Sequence, residues 1–393
     1  MFFTIVGKLI KSKEEKAFVE SAKSEKGSFL TFNCMASAKG NLVFLQSQYW
    51  KSKQYKKDKV YTVNNEGEFI EVPIDQKDDP ELLKTIPEYK KFIIDKYPSG
   101  YVYGLKKLVD SFDEASDEDK EKFKVSTLAE AKTKYEKAKK GRYEFIDVED
   151  FTEALKNWFA KDPNIEKGKW VITGERTMRP YVKDGKKEWA TSYTIHKIQK
   201  AYDNSEETAT VSDKLLFTDE SIVETAKGLT ITGYSIIYMG KDKETKEKLP
   251  NEYCPISFTV LNSDEKKLKG IKKRFEIEEG SEEVKQMGVV LNILNGAEKV
   301  EFTEDMLTEA DRENIDWGLT TFEEIQKERS AYGESRQGFE FAKLGKGYST
   351  YEETAYTKNT VLGKVKSSDD DDDDDFGDLG DLGSFEDISD DIL

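Results

Sequence analysis

Histidine is almost missing from this chain: His196 is the only one in 393 residues. A nucleophilic triad needs an imidazole or equivalent base beside a Ser or Cys. His196 instead sits in a Tyr-Thr-Ile-His-Lys strand pattern, where it reads as a surface or core residue. Cysteine is equally sparse. Cys34 and Cys254 are the only two and lie far apart, whereas a secreted chain of this size more often carries several pairs. A reducing cytoplasm is therefore the expected setting. The N-terminus MFFTIVGKLIKSK has no leading basic region, and its apolar run is cut by Gly7 and Lys8, so it does not read as a secretory signal. No apolar run approaches the roughly 18 residues of a membrane span. Walker-type phosphate loops, Gly-rich dinucleotide fingerprints and metal-ligand spacings are absent. Carboxylates abound, but nothing groups them into a site. These absences point to a non-enzymatic protein with no cofactor and no metal.

Aromatic residues are plentiful: 22 Phe, 19 Tyr and 5 Trp make up 12% of the chain, against only 8 Pro. A folded chain rich in rings suits β-structure, and this length accommodates two or three domains. Three segments share an apolar, β-prone run ending in glycine: Phe3 to Gly7, Trp170 to Gly174 and Leu229 to Gly233. Each is followed by a second strand-like run, at Phe29 to Cys34, Trp189 to Ile195 and Cys254 to Val260. Glycine inside a strand marks a bulge or sharp bend, which a small barrel needs where its first strand curls to pair at both ends. Asp184-Gly185 and Asn295-Gly296 suit type I′ hairpin turns, and Lys39-Gly40-Asn41 sits between two β-rich runs.

Helical spacing fills the gaps. Asp147 is placed to cap a helix whose face is Val148, Phe151, Leu155, Trp158 and Phe159. A second helix runs over Ser126 to Lys140 with Gly141 as its stop. Thr308 with Asp311, and Thr321 with Glu324, predict caps of two short helices closed by Gly318 and Gly333. After about Ser330 no period survives and no packed element is expected.

The net charge of −17 argues at first against a nucleic-acid partner, because phosphate contacts need Lys and Arg. The average misleads. Residues Asp369 to Leu393 hold 12 Asp and 1 Glu with no basic residue, leaving 62 basic against 66 acidic side chains in the body, a net of −4. Within that body, residues 1 to 60 carry 12 Lys against 5 acids, and Ile165 to Lys200 carry 9 basic against 4 acidic residues.

Three basic stretches lie beside the strand pairs. Tyr49, Trp50, Lys51, Lys53, Tyr55, Lys56 and Lys57 mix rings with lysines; so do Arg176, Arg179, Tyr181 and Lys183; Lys272, Lys273 and Arg274 offer charge alone. Lysines track a sugar-phosphate backbone while rings stack on bases, at about 1–3 kcal/mol per base without demanding a sequence. Against this, rings on strands are usually core and lysine-rich loops are usually solvated. The recurrence beside three similar strand pairs favours binding.

In the tail, seven consecutive Asp precede Phe376, Leu379, Leu382, Phe385, Ile388, Ile392 and Leu393, spaced among further acids. A solubilising tail does not need regular apolar residues. Charge attracts a basic rim over distance while a terminal Ile-Leu enters an apolar pocket, so Asp387, Asp390, Asp391, Ile392 and Leu393 are the expected partner-binding residues. The Asp run lacks the Gly turn and spaced oxygens of a calcium loop.

Basic and aromatic barrels followed by an acidic, hydrophobic-ended tail resemble single-stranded-DNA-binding proteins of the OB-fold type, especially those of large phages. Bacterial members end in acids and then Pro-Phe, whereas this chain ends Asp390-Asp391-Ile392-Leu393. Some phage members carry a clustered Cys and His zinc site that one His and two distant Cys do not support. The resemblance implies a mainly β fold with helical insertions, made of two or three OB-like barrels plus a disordered acidic tail. It implies coating of single-stranded DNA in replication, recombination or repair, in a host cytoplasm if of phage origin. The expected division is an OB-like unit with helical insertions over residues 1–160, and a second OB-like region over 165–305. Short helices over 306–333, a flexible linker over 334–368 and the tail over 369–393 complete it. The 59 residues between Gly174 and Gly233 favour two small units in the second region over one elaborated barrel. Two other readings stand beside it: an acidic mimic of nucleic acid, which should spread its acids over the body, whereas here they concentrate in the tail, and an RNA-binding or strand-annealing protein, which uses similar grooves.

Overall fold

The computed structural model describes residues 1–226, 228–241, 245–261, 265–300, 303–328, 331–345, 352–353 and 356–363. The proposed partner-binding residues Asp387, Asp390, Asp391, Ile392 and Leu393 lie outside these.

The protein is mainly β with helical insertions. Strands β1 (Phe2–Lys11), β2 (Gly27–Ala38), β3 (Asn41–Ser52), β4 (Lys169–Lys183) and β5 (Lys186–Lys200) close on themselves. β1 pairs with β2, β2 with β3, β4 with β5 and β4 with β1, all antiparallel, while β3 and β5 run parallel with Thr194 opposite Gln46. This is the five-stranded Greek-key ring of an OB barrel. A second ring repeats it with β6 (Thr208–Phe217), β7 (Gly228–Ile237), β8 (Glu252–Leu261), β9 (Lys285–Val300) and β10 (Ala331–Leu344), again with one parallel contact, Thr259 opposite Glu340.

Both barrels are plugged by the helix between their third and fourth strands. In the first, α1 (Val148–Lys161) is capped by Asp147, which accepts from Glu149 N, and buries Phe151, Leu155, Trp158 and Phe159. Phe159 meets Phe32 edge-on at 4.8 Å, and Trp158 meets Trp170 at 5.1 Å. Each such ring removes apolar surface worth about 1.5–3 kcal/mol. In the second, α2 (Glu265–Phe275) ends in the fully buried Phe275, edge-on to Phe217 at 4.8 Å.

The barrels are joined through their first strands. β1 pairs with β6 over Phe2 to Val6, then transfers that edge to β2 over Lys8 to Lys11, while its other edge holds β4 from Phe2 to Lys8. The transfer falls on Gly7, where a Cβ would lie 2.2 Å from the Ser37 carbonyl oxygen. The bend expected of that glycine is therefore found, and its cause is backbone approach.

Strand pairing departs from the expected division in three places. Phe3–Gly7 and Trp170–Gly174 do not open separate units: they are neighbours in one ring, with Phe3 opposite Gly174 and Gly7 opposite Trp170. The expected break at 160–165 thus falls inside the first barrel. Residues 331–344, expected to be largely linker, form β10, the closing strand of the second barrel, and Gly333 lies within it. Asn295-Gly296 is not a hairpin turn. It is interior to β9, where Asn295 Nδ2 donates to the Leu42 carbonyl at 2.6 Å and ties the second barrel to the first. Asp184-Gly185 and Lys39-Gly40 do make tight turns, with all four residues at positive φ. The helices Leu128–Lys139, Glu309–Asp316 and Phe322–Glu328 lie where spacing and caps place them. Among the described residues, no helix is long and apolar enough to cross a membrane.

Candidate nucleic-acid interface

In an OB barrel the outer face of the second and third strands, with its flanking loops, is the usual oligonucleotide platform. In the first barrel alternation of side chains assigns that face. Leu30, Phe32, Cys34 and Ala36 of β2, and Val43, Leu45, Ser47 and Tyr49 of β3, point inward and are buried. The opposite register presents five cross-strand pairs outward: Phe29 with Trp50, Thr31 with Gln48, Asn33 with Gln46, Met35 with Phe44 and Ser37 with Leu42. None of these ten side chains is ionisable. Phe44 and Trp50 are 52% and 41% exposed.

Trp50 is held rather than loose. Its ring meets Phe29 edge-on at 4.7 Å, and a Cβ on Gly27 would lie 2.5 Å from Trp50 Cζ2. Gln48 Nε2 donates to Thr31 Oγ1 at 2.9 Å, and Asn33 Nδ2 donates to the Lys16 carbonyl at 3.0 Å. Rings and amides on one flat, uncharged strip supply stacking surfaces and hydrogen-bonding groups without a charged competitor.

At the Trp50 end the chain turns under the control of Ser52, whose Oγ accepts from Gln54 N at 3.2 Å and Tyr55 N at 3.0 Å, while Lys53 N donates to Lys26 O. Lys51, Lys53, Tyr55 and Lys56 lie at this end and are exposed, Tyr55 at 79%, with Lys51 in the register of Tyr49 rather than of Trp50. Lys57 belongs elsewhere: its Nζ lies 2.6 Å from buried Asp147 Oδ1, the cap of α1. Tyr49 also leaves the expected site. Its ring is buried, its hydroxyl donates to Glu153 Oε1 at 3.1 Å, and burial with that carboxylate pushes the phenol well above its ordinary value. Neighbours in a strand face opposite ways, so Tyr49 and Trp50 never share a face.

The same parity divides the β4–β5 hairpin. Arg176 is buried between the barrels, with its guanidinium 5.0 Å from the Phe339 ring of β10 and Nη1 3.0 Å from both Met1 Sδ and Met178 Sδ. It is a joint residue. Arg179, Tyr181 and Lys183 lie on the outward register, where Tyr181 donates to Glu188 Oε2 across the hairpin. Beyond them Lys187 pairs with Glu252 of β8. Lys272, Lys273 and Arg274 ride on α2, and Lys272 is engaged at 2.6 Å by Glu224, on a short strand beside β7, which raises its pKa. The three basic stretches are therefore not equivalent: Arg176 and Lys272 have structural partners, whereas Lys51, Lys53 and Lys56 follow directly from the open strand face.

His196 is the extra residue of a bulge in β5, between Ile195 and Lys197, and packs edge-on against Phe92 at 5.4 Å. Burial lowers its pKa, with Glu175 opposing. Cys34 and Cys254 are free, buried thiols, and burial pushes Cys254 up to about 11. Among the described residues no three His, Cys, Asp or Glu side chains gather to hold a metal ion.

No family model matches the chain, and no curated protein matches it in sequence. Among solved structures, a similar chain is a deletion mutant of the single-stranded DNA binding protein from Thermus aquaticus, at a TM-score of 0.28 and 8% identity, over 75% of this chain and 86% of that one.

Proposed function

We propose that this protein binds single-stranded DNA along the β2–β3 face of its first barrel, as a coating protein without turnover. The observation that carries this reading is the uncharged strip from Leu42 to Trp50, with Phe44 and Trp50 exposed and Lys51, Lys53 and Lys56 at one end. Duplex DNA hides the base faces that such rings would stack on, so the strip favours single strands. The acidic tail, Asp369 to Leu393, is the proposed recruiter of replication or recombination enzymes, with Asp387, Asp390 and Asp391 steering and Ile392 and Leu393 anchoring.

A titration of tryptophan fluorescence with a poly-pyrimidine DNA strand, its RNA counterpart and a duplex of equal length tests the reading. Tighter binding to the single DNA strand is expected. If the three lysines make the only phosphate contacts, log K should fall with log salt by roughly 2, at about 0.7 per phosphate. Equal affinity for strand and duplex, or no binding at low salt, removes the proposal.

A further inference from the structure

The second barrel has the same strand order, but one end of its corresponding face, beside the β7–β8 connection, is covered by the chain itself, while Pro255, Ser257, Thr259 and Leu261 of β8 stay exposed. Outward positions of β7 and β8 include Tyr234, Ile236 and Tyr253, which form no part of the barrel interior. They join Leu216, Val284, Tyr356 and Val361 in a separate apolar cluster. Tyr356 and Val361 come from a segment after β10, residues 356–363, whose short helix Lys358–Val361 is capped by Thr357. Tyr356 meets Tyr253 edge-on at 6.2 Å, and Val361 is fully buried. The seat is acidic: Lys358 Nζ lies 2.6 Å from Asp219 Oδ1 and 3.1 Å from Glu220 Oε1, and Asp219 Oδ2 also accepts from Gly280 N at 2.8 Å. A short strand, Glu352–Glu353, pairs with Lys285 and Gln286 of β9 just before this segment.

These groups suit a cation with an apolar turn behind it and repel phosphate. The residues at the matching places counted from the β2–β3 turn, Met35, Ser37 and Leu42, are uncharged and lie outside the barrel interior. We propose that the strand face of the second barrel is a peptide-docking site, selective for a short apolar helix carrying a lysine, and that its occupant is residues 356–363 of this chain. The barrels then divide their work. The first takes nucleic acid; the second takes a peptide and anchors the root of the acidic tail.

The test uses the full chain with Lys358→Glu and Val361→Asp, which place two carboxylates against the acidic seat and release the segment. A fluorescent peptide of residues 352–366 should bind this variant and not the parent. Its binding should weaken severalfold in salt or with Lys358→Ala in the peptide. The number of nucleotides covered on poly-dT should stay that of the parent. A peptide that fails to bind the released variant overturns the proposal, and so does a longer nucleotide footprint, which would make the face a second DNA site. If the double variant melts well below the parent, Lys358→Glu alone serves, with weaker peptide binding as the expected result and none as the contrary one. Failure of the DNA-binding reading would instead leave parent and variant equally unable to bind poly-dT, while the peptide arm reads independently of DNA.

Discussion

The two barrels share strand order, parallel closure and a plugging helix, yet they expose opposite chemistry on the same face. The first presents rings and amides with lysines at one end; the second presents tyrosines beneath its own chain, behind Asp219 and Glu220. Topology therefore sets where a ligand could lie, and the outward register of two strands sets which ligand. The first strands differ as well. β1 changes partner within a single residue, Gly7, whereas β6 leaves Asp213 and Lys214 between its pairing to β1 at Ser212 and to β7 at Leu215. There Asp213 Oδ2 accepts from the buried Ser235 hydroxyl at 2.5 Å, a side-chain bond in place of backbone contact.

That difference predicts the largest effect. Gly7→Ala must push its methyl into the Ser37 carbonyl, 2.2 Å from the ideal Cβ, and should destabilise the first barrel by about 3 kcal/mol or more. Asp213→Ala should cost the second barrel about 1–3 kcal/mol by leaving Ser235 unpaired. Thermal unfolding of both variants checks the order, and a milder Gly7→Ala would break the comparison.

Next come two adjacent rings. Trp50→Ala should weaken DNA binding by about 1–3 kcal/mol without changing the salt slope. Tyr49→Phe loses only the bond to Glu153 and should leave DNA affinity unchanged, lowering stability by about 1 kcal/mol. Equal losses of affinity from both would contradict the outward register.

The smallest effect concerns acid. His196 belongs to the first barrel, and its pKa is lowered by burial from an ordinary value of 6.5. The unfolded chain therefore binds the proton more readily, so this contribution is present above about pH 6.5 and is lost as pH falls below it. Melting curves between about pH 7.5 and 5.5 should show a decline that His196→Asn reduces. An unchanged decline would assign acid sensitivity to carboxylates instead.

Much of this was legible in residue order. Gly7, the turn dipeptides Lys39-Gly40 and Asp184-Gly185, and the Asp147 cap announce themselves because each demands a local backbone or side-chain geometry. The uncharged strip is only half legible. The alternation of Leu30, Phe32, Cys34 and Ala36 with Phe29, Asn33 and Met35 carries the signal, and reading it through β3 would have set Trp50 outward with Phe44, Gln46 and Gln48 and turned Tyr49 inward. Density of lysines and rings drew attention to composition instead, and so gathered Lys57, Arg176 and Lys272, each of which has a structural partner.

By itself, the sequence determined the β-rich class, the turns at Lys39-Gly40 and Asp184-Gly185, four of the helices and the contrast between a near-neutral body and an acidic tail, because propensity, capping and charge act over a few neighbouring residues. Only tertiary structure decided that Trp170 pairs beside Gly7, that residues 331–344 close a barrel, and that residues 356–363 pack on Tyr234 and Tyr253 of the second. Those outcomes depend on strand partners and buried apolar surfaces far apart in the chain, and no short window of residues contains both halves of such a contact.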